Sequence, residues 1–193
     1  MPTTDVGICK LGCAIIGAQT IVSLAQPKSA SEIRCALFYP QRRDAELRKY
    51  RWNFAKRWQV MNAPDPSVVH PRLAHAYLLP ANPWCLRVIR RSPVDNWPVD
   101  WEIAGRHLYT DFAPGWTLPF IARVPEAEFD PLFVDVLAAS MAVVLTEPTT
   151  QSNSKQVNAR EVYRMAVAAA RAANSFEVEP EQDLPDEWER SRY

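Results

Sequence analysis

A chain of 193 residues with a 48% hydrophobic share can bury a real core, as one domain or two small ones. Its 22 Lys and Arg balance 22 Asp and Glu, so overall charge gives no footprint of tight nucleic-acid binding. No secretory signal or membrane span is read, because Gln19, Thr20 and Ser23 interrupt the apolar patches of residues 14–24.

Residues 5–17 read as a first helix, capped by Thr4 or Asp5, with Ile8, Leu11, Ile15 and Ile16 as its apolar stripe. Gly17 supplies the stop. Ser29 stands three residues before Glu32, the spacing of a reciprocal cap, and opens a second helix. Ile33, Leu37 and Leu47 recur on its apolar face, and Pro40 is expected to kink it. Two helices joined by so short a loop pack as a hairpin. Trp52, Phe54 and Trp58 then form an aromatic knot among Lys56 and Arg57.

From residue 58 the pattern changes. Pro64, Pro66 and Pro71 mark an irregular connector. Residues 75–79, 85–91, 99–103, 106–110 and 118–123 read as short strands. Val99, Trp101 and Ile103 share one face there, Asp100 and Glu102 share the other, and Ala104-Gly105 turns the chain into a hairpin. Together these strands predict a small antiparallel sheet or sandwich. Asp130 as cap, Pro131 at the first helical position and Phe129 as a staple onto Val134 open a third helix, which Pro148 should end. Ser152 or Ser154 starts a final helix that reaches about residue 174. Beyond residue 176, Pro180 and Pro185 and the lack of periodicity predict an extended arm.

The sequence therefore predicts an α+β fold that is mainly helical. A helical domain of four helices (residues 1–58 and 125–176) carries an inserted small antiparallel β domain (59–124) and an extended C-terminal arm (177–193).

One stretch also carries a resemblance. Cys35, Phe38-Tyr39-Pro40, Arg43-Asp44, Leu47 and Trp52-Asn53-Phe54-Ala55 stand in an order similar to the head–tail adaptor proteins of short-tailed bacteriophages, also called tail tubular protein A. Matches continue through Tyr77-Leu78-Leu79-Pro80, Cys85-Leu86-Arg87-Val88, Trp101-Glu102-Ile103-Ala104-Gly105-Arg106, Phe129-Asp130-Pro131-Leu132-Phe133 and a closing Trp188-Glu189-Arg190-Ser191-Arg192. Arg51 stands where that pattern has proline. The resemblance implies a structural virion protein, assembled in the host cytoplasm and located in the tail beneath the portal vertex. It implies a homo-oligomeric ring, typically a dodecamer, joining the portal protein to the tail nozzle (a tail tubular protein B-like partner), with tail fibres attached at that lower junction. Double-stranded DNA would pass through without sequence specificity. Tyr39, Pro40, Arg43, Asp44, Trp52 and Phe54 would be its structural motif.

Chemistry-bearing constellations are few. The five glycines cannot form a phosphate-cradling loop, and neither HExxH nor GxSxG occurs. No cofactor is implied. His70, His75 and His107 read as surface or edge residues, and Cys9, Cys13, Cys35 and Cys85 as buried free thiols in a reducing compartment, with no metal. Asp100 and Glu102 share a polar strand face, and Glu126, Glu128 and Asp130 suit capping and the helix dipole, so the catalytic acid pair of a cell-wall hydrolase is not expected.

Arg160, Arg164 and Arg171 fall within about 40° on the last helix, either lining a DNA channel or forming a solvated face. Ala166, Ala169, Ala170 and Ala173 permit close helix packing, within the subunit or against a neighbour. The acidic end carries Glu177, Glu179, Glu181, Asp183, Asp186, Glu187 and Glu189, and either guides subunits into register or is simply solvated. Trp188 and Tyr193, with Arg190 and Arg192, either anchor the arm on the portal or fold back on the chain. The leading expectation is a head-to-tail connector that is not an enzyme. The alternatives are a cell-wall hydrolase component and a free DNA-binding factor.

Overall fold

A computed structural model describes residues 3–89, 100–150 and 153–177. The fold is α+β, with four helices and two small antiparallel sheets of three strands. The acidic arm beyond Glu177, including Trp188, Arg190, Arg192 and Tyr193, lies outside the described residues.

Helix α1 (Asp5–Ile15) starts where Thr4 accepts a hydrogen bond from the Gly7 N–H and stops before Gly17, whose φ of 63° only glycine adopts freely. Helix α2 (Ala30–Lys49) opens on the reciprocal cap between Ser29 and Glu32. It continues as one helix past Pro40 to Lys49. Its inward face is not the one its aliphatic residues suggest. Ile33 and Leu37 are more than half exposed, while Cys35, Tyr39, Glu46 and Leu47 are buried. Tyrosine and glutamate go inside here because each has a partner waiting, as the site below shows.

Helix α3 (Pro131–Thr150) is the central element and packs against α1, α2 and α4 (Asn153–Phe176). Asp130 caps it, accepting from the Leu132 N–H at 2.8 Å and the Phe133 N–H at 3.3 Å. Phe129 packs on Phe133 and Phe54, with ring centroids 5.0 and 5.9 Å away. The helix passes Pro148 and ends at Thr150. Proline forfeits its own N–H bond to the carbonyl four residues back, but the residues after it keep theirs to donate.

Gly12 sets how closely α1 meets α3. A methyl group there would lie 2.9 Å from the Ala138 carbonyl oxygen and 3.0 Å from Met141 Cβ. Backbone cannot yield cheaply, so Gly12→Ala is expected to destabilise the chain by about 1–3 kcal/mol in urea unfolding despite alanine's better helix propensity.

The strands are β1 (Lys56–Met61), β2 (His75–Leu78), β3 (Cys85–Val88), β4 (Trp101–Ala104), β5 (His107–Thr110) and β6 (Trp116–Ala122). They form two sheets, ordered β1-β6-β3 and β2-β5-β4, where the sequence left a sheet or a sandwich open. The β4–β5 hairpin pairs Ala104 with His107 around Gly105, as read. Strand β1 was not foreseen. Its six residues include Lys56, Arg57 and Gln59, with Trp58 and Val60 exposed, so no alternation marks it; pairing with β6 along its whole length makes it a strand. The sheet thus starts at Lys56, directly behind the single 3-10 turn Asn53–Ala55.

Helices and the first sheet share one apolar cluster. Ile8, Cys35, Leu47, Trp52 and Leu137 belong to it together with Met61, Leu118, Phe120 and Ile121. The second sheet has its own small cluster of Leu73, Ala76 and Tyr109. Arg106, at the tip of the β4–β5 hairpin, fastens this sheet to the first. Its guanidinium donates to the carbonyls of Leu79, Pro80 and Cys85 at 2.6–3.1 Å and lies 3.8 Å above the Trp84 ring.

Candidate functional site

The motif residues that carry the resemblance converge at the junction of helices and sheet. Tyr39 donates to the Glu126 carboxylate at 3.1 Å, and Arg43 bonds both Glu126 and Asp44. Asp44 in turn holds Arg123, just past β6, through two hydrogen bonds. Burial and the neighbouring Glu126 charge push the Tyr39 hydroxyl well above the ordinary tyrosine range, so it is a permanent donor. Glu128 pairs with Arg57 of β1. Glu126 and Glu128 therefore tie the β layer to α2 and α3, and dipole complementarity is not their main role. Pro40, beside Tyr39, is exposed. Tyr39, Arg43 and Asp44 thus build a brace between α2 and the β layer.

A second node was missed altogether by sequence reasoning. Glu46 is fully buried on α2. Its carboxylate accepts from Ser140 of α3 at 2.8 Å, from Tyr163 of α4 at 3.0 Å and from Lys49 at 2.8 Å. Lys49 also reaches the Tyr163 hydroxyl. Burial works against the Lys49 charge, but the bonds to Glu46 and Tyr163 outweigh it and hold its pKa above the ordinary lysine value. One carboxylate thus joins three helices. Next to it the Trp52 indole N–H donates to the Glu46 carbonyl at 2.9 Å, and its ring meets Tyr50, Phe54 and Phe133.

Glu32 does more than cap its own helix. Its two oxygens accept N–H bonds from Val22, Ser23, Lys28 and Ser29, so it gathers the whole connector between α1 and α2. Those backbone bonds lower its pKa from 4.5 to about 2. Because the folded value is the depressed one, the stabilisation is complete above pH about 4.5 and is lost as pH falls towards about 2. Amide exchange of residues 22–29 is expected to accelerate over that window, and Glu32→Gln to abolish the pH dependence there.

The channel candidates divide. Arg164 pairs with Glu161 on its own helix at 2.6 Å, and Arg171 lies 4.8 Å over the Tyr50 ring of the same subunit. Arg160 is exposed. His70 faces Glu102 at 3.2 Å and accepts the Leu73 N–H, and His107 faces Asp65 at 3.2 Å, so two of the three histidines pin loops of the second sheet. All four thiols are free and buried. The sulfurs of Cys13 and Cys35 lie 4.0 Å apart, and that contact together with burial pushes the Cys13 thiol far up, so it stays protonated and unreactive. Among the described residues no three His, Cys, Asp or Glu side chains converge as a metal site, and no helix is long and apolar enough to cross a membrane.

Two of the surface depressions among the described residues bear on function. One is an apolar groove of about 570 Å³ between α1 and α4 over α3, lined by Leu11, Ile15, Ala138, Met165, Ala166 and Ala169, with Asp135 and Val162 beside them. Leu11, read as core from its spacing, stands 48% exposed on one wall, opposite the 61% exposed Met165. Of the alanines singled out on α4, Ala166 and Ala169 line this groove, and Ala170 is buried within the subunit. The other depression, of about 430 Å³, lies where the end of α2 meets β3 and the β4–β5 hairpin, and holds Arg48, Arg51, Arg87 and Arg106 beside Leu79, Val88, Trp101 and Ile103. Neither concentrates nucleophiles or acids in the manner of a catalytic cleft.

No protein-family model matches the chain, and no curated protein is significantly similar to it.

Proposed function

We propose that the chain is a structural connector of a short-tailed phage virion, about twelve copies closing into a ring beneath the portal vertex. One face of the ring meets the portal protein, the other the tail nozzle and the fibres attached there, and double-stranded DNA passes through the bore without sequence specificity. The C-terminal arm reaches the portal, with Trp188, Arg190, Arg192 and Tyr193 as its contacts.

The observation that carries this reading is the pair of unpartnered apolar faces on different sides of the helical bundle. The groove between α1 and α4 is one. The outer face of α2, where Ile33 and Leu37 stand 55% and 61% exposed one turn apart, is the other. Two unlike patches on one subunit suit head-to-tail contacts, and such contacts close into rings when the rotation between copies is constant. The order of motifs along almost the whole chain supports the same reading.

The rival readings find less support. The groove has a single carboxylate, Asp135, and the arginine depression has none among the described residues, so neither offers a pair of acids. Two of the three channel arginines have partners within the subunit, which fits a bore that lets DNA slide better than a surface that grips it. Met165→Glu, at the exposed wall of the groove, is expected to leave a folded single subunit by electron microscopy where the parent chain forms rings. Rings of unchanged size from that variant would remove the groove from the interface.

A further inference from the structure

The arginine depression is built for an anion. Arg48 donates to the Leu86 carbonyl, and Arg87 donates to the carbonyls of Arg48 and Lys49 at 3.3 and 3.2 Å, closing the end of α2. Arg106 is fixed by its three carbonyls and by Trp84. Each guanidinium has five N–H donors, so these anchors hold the groups in place and leave donors over. Arg51 stands exposed at the rim. Among the described residues no carboxylate lines the depression, and the wall opposite is apolar and aromatic. Four cations around one concave site repel each other unless something negative enters.

From these observations we infer that the depression holds the chain's own acidic C-terminal segment, residues 179–189, in the free subunit. Two features point to this occupant. The first is where the described chain leaves off. Asn174 donates to the Arg51 carbonyl at 3.1 Å and accepts the Asn53 N–H at 2.8 Å, while Asn53 donates to the Asn174 carbonyl and to Glu177. The end of α4 is therefore clamped to the residues that form the rim, and ten extended residues span about 33 Å, ample to enter it. The second is complementarity. The segment carries Glu179, Glu181, Asp183, Asp186, Glu187 and Glu189, interleaved with Leu184 and Trp188, against arginines interleaved with Leu79, Val88, Trp101 and Ile103. A tethered segment acts at an effective concentration in the millimolar range, which favours it over a free acidic peptide or a nucleic acid.

This deepens the connector reading, on which it rests for one consequence. The segment sent to the portal is parked on its own subunit until a tighter surface displaces it, so a lone subunit hides its portal contact. The docking itself stands or falls separately, because it is measured in the absence of any portal.

The test is cleavage of the full chain by a glutamate-specific protease, followed by intact mass. Cuts after Glu181, Glu187 and Glu189 are expected to be at least about tenfold faster in Arg51→Glu and in ~1 M salt than in the parent chain at low salt. Trp188→Ala, whose substitution lies in the segment itself, is expected to do the same. Combining Arg51→Glu with Glu181→Arg and Asp183→Arg should restore protection at the Glu187 and Glu189 sites, which that variant keeps. Equal rates in all chains would overturn the docking. Protection that grows with protein concentration would place the segment on a second copy and overturn the same-chain assignment.

Discussion

Glu46→Ala is expected to lower the unfolding free energy by about 3–5 kcal/mol, the cost of breaking a buried charged network by removing one member. The loss has two parts. The carboxylate's bonds to Ser140, Tyr163 and Lys49 disappear, and the Ser140 hydroxyl, itself buried, is left without that acceptor. Alanine also leaves a hollow between α2, α3 and α4. Glu46→Gln, which keeps the shape and an acceptor oxygen, should cost clearly less. Urea denaturation of the two variants checks this; a loss below about 1 kcal/mol for the alanine variant would mean that the node is not what joins the helices.

Trp52→Ala is expected to cost about 3–5 kcal/mol as well, here mainly through the cavity. The ring is 2% exposed and sits between Tyr50, Phe54 and Phe133, at the point where helices and first sheet share their core. Trp52→Phe retains much of the apolar contact but leaves the Glu46 carbonyl without its indole donor, so about 1–2 kcal/mol is expected. Thermal melting should show both halves of the chain unfolding together in each variant, because Phe54, Phe129 and Phe133 join them directly. Separate transitions would show that the shared core does not couple the layers.

Local signals were legible in the sequence. Thr4, the Ser29–Glu32 pair, Asp130-Pro131 and Gly105 each act within a few residues, and each cap or turn formed where the residue type required it. Partnership across the chain was not legible. Ile33 and Leu37 outrank Tyr39 and Glu46 in hydrophobicity, yet the latter two face inward because Glu126, Ser140 and Tyr163, about 90 or more residues away, satisfy them. Strand β1 was hidden for the same reason, since only β6 makes a strand of a charged and exposed stretch. The two depressions are also products of packing. Nothing local in Arg48, Arg51, Arg87 and Arg106 announces that four guanidiniums meet at one site.

The central claim is that the outward apolar faces are shaped for further copies of the same chain. Native mass measurement tests it most directly, on the chain alone and mixed with a short-tailed phage portal protein. The claim predicts a closed assembly of about twelve 21.9 kDa subunits, alone or once the portal is present. A single 21.9 kDa species under both conditions would contradict it.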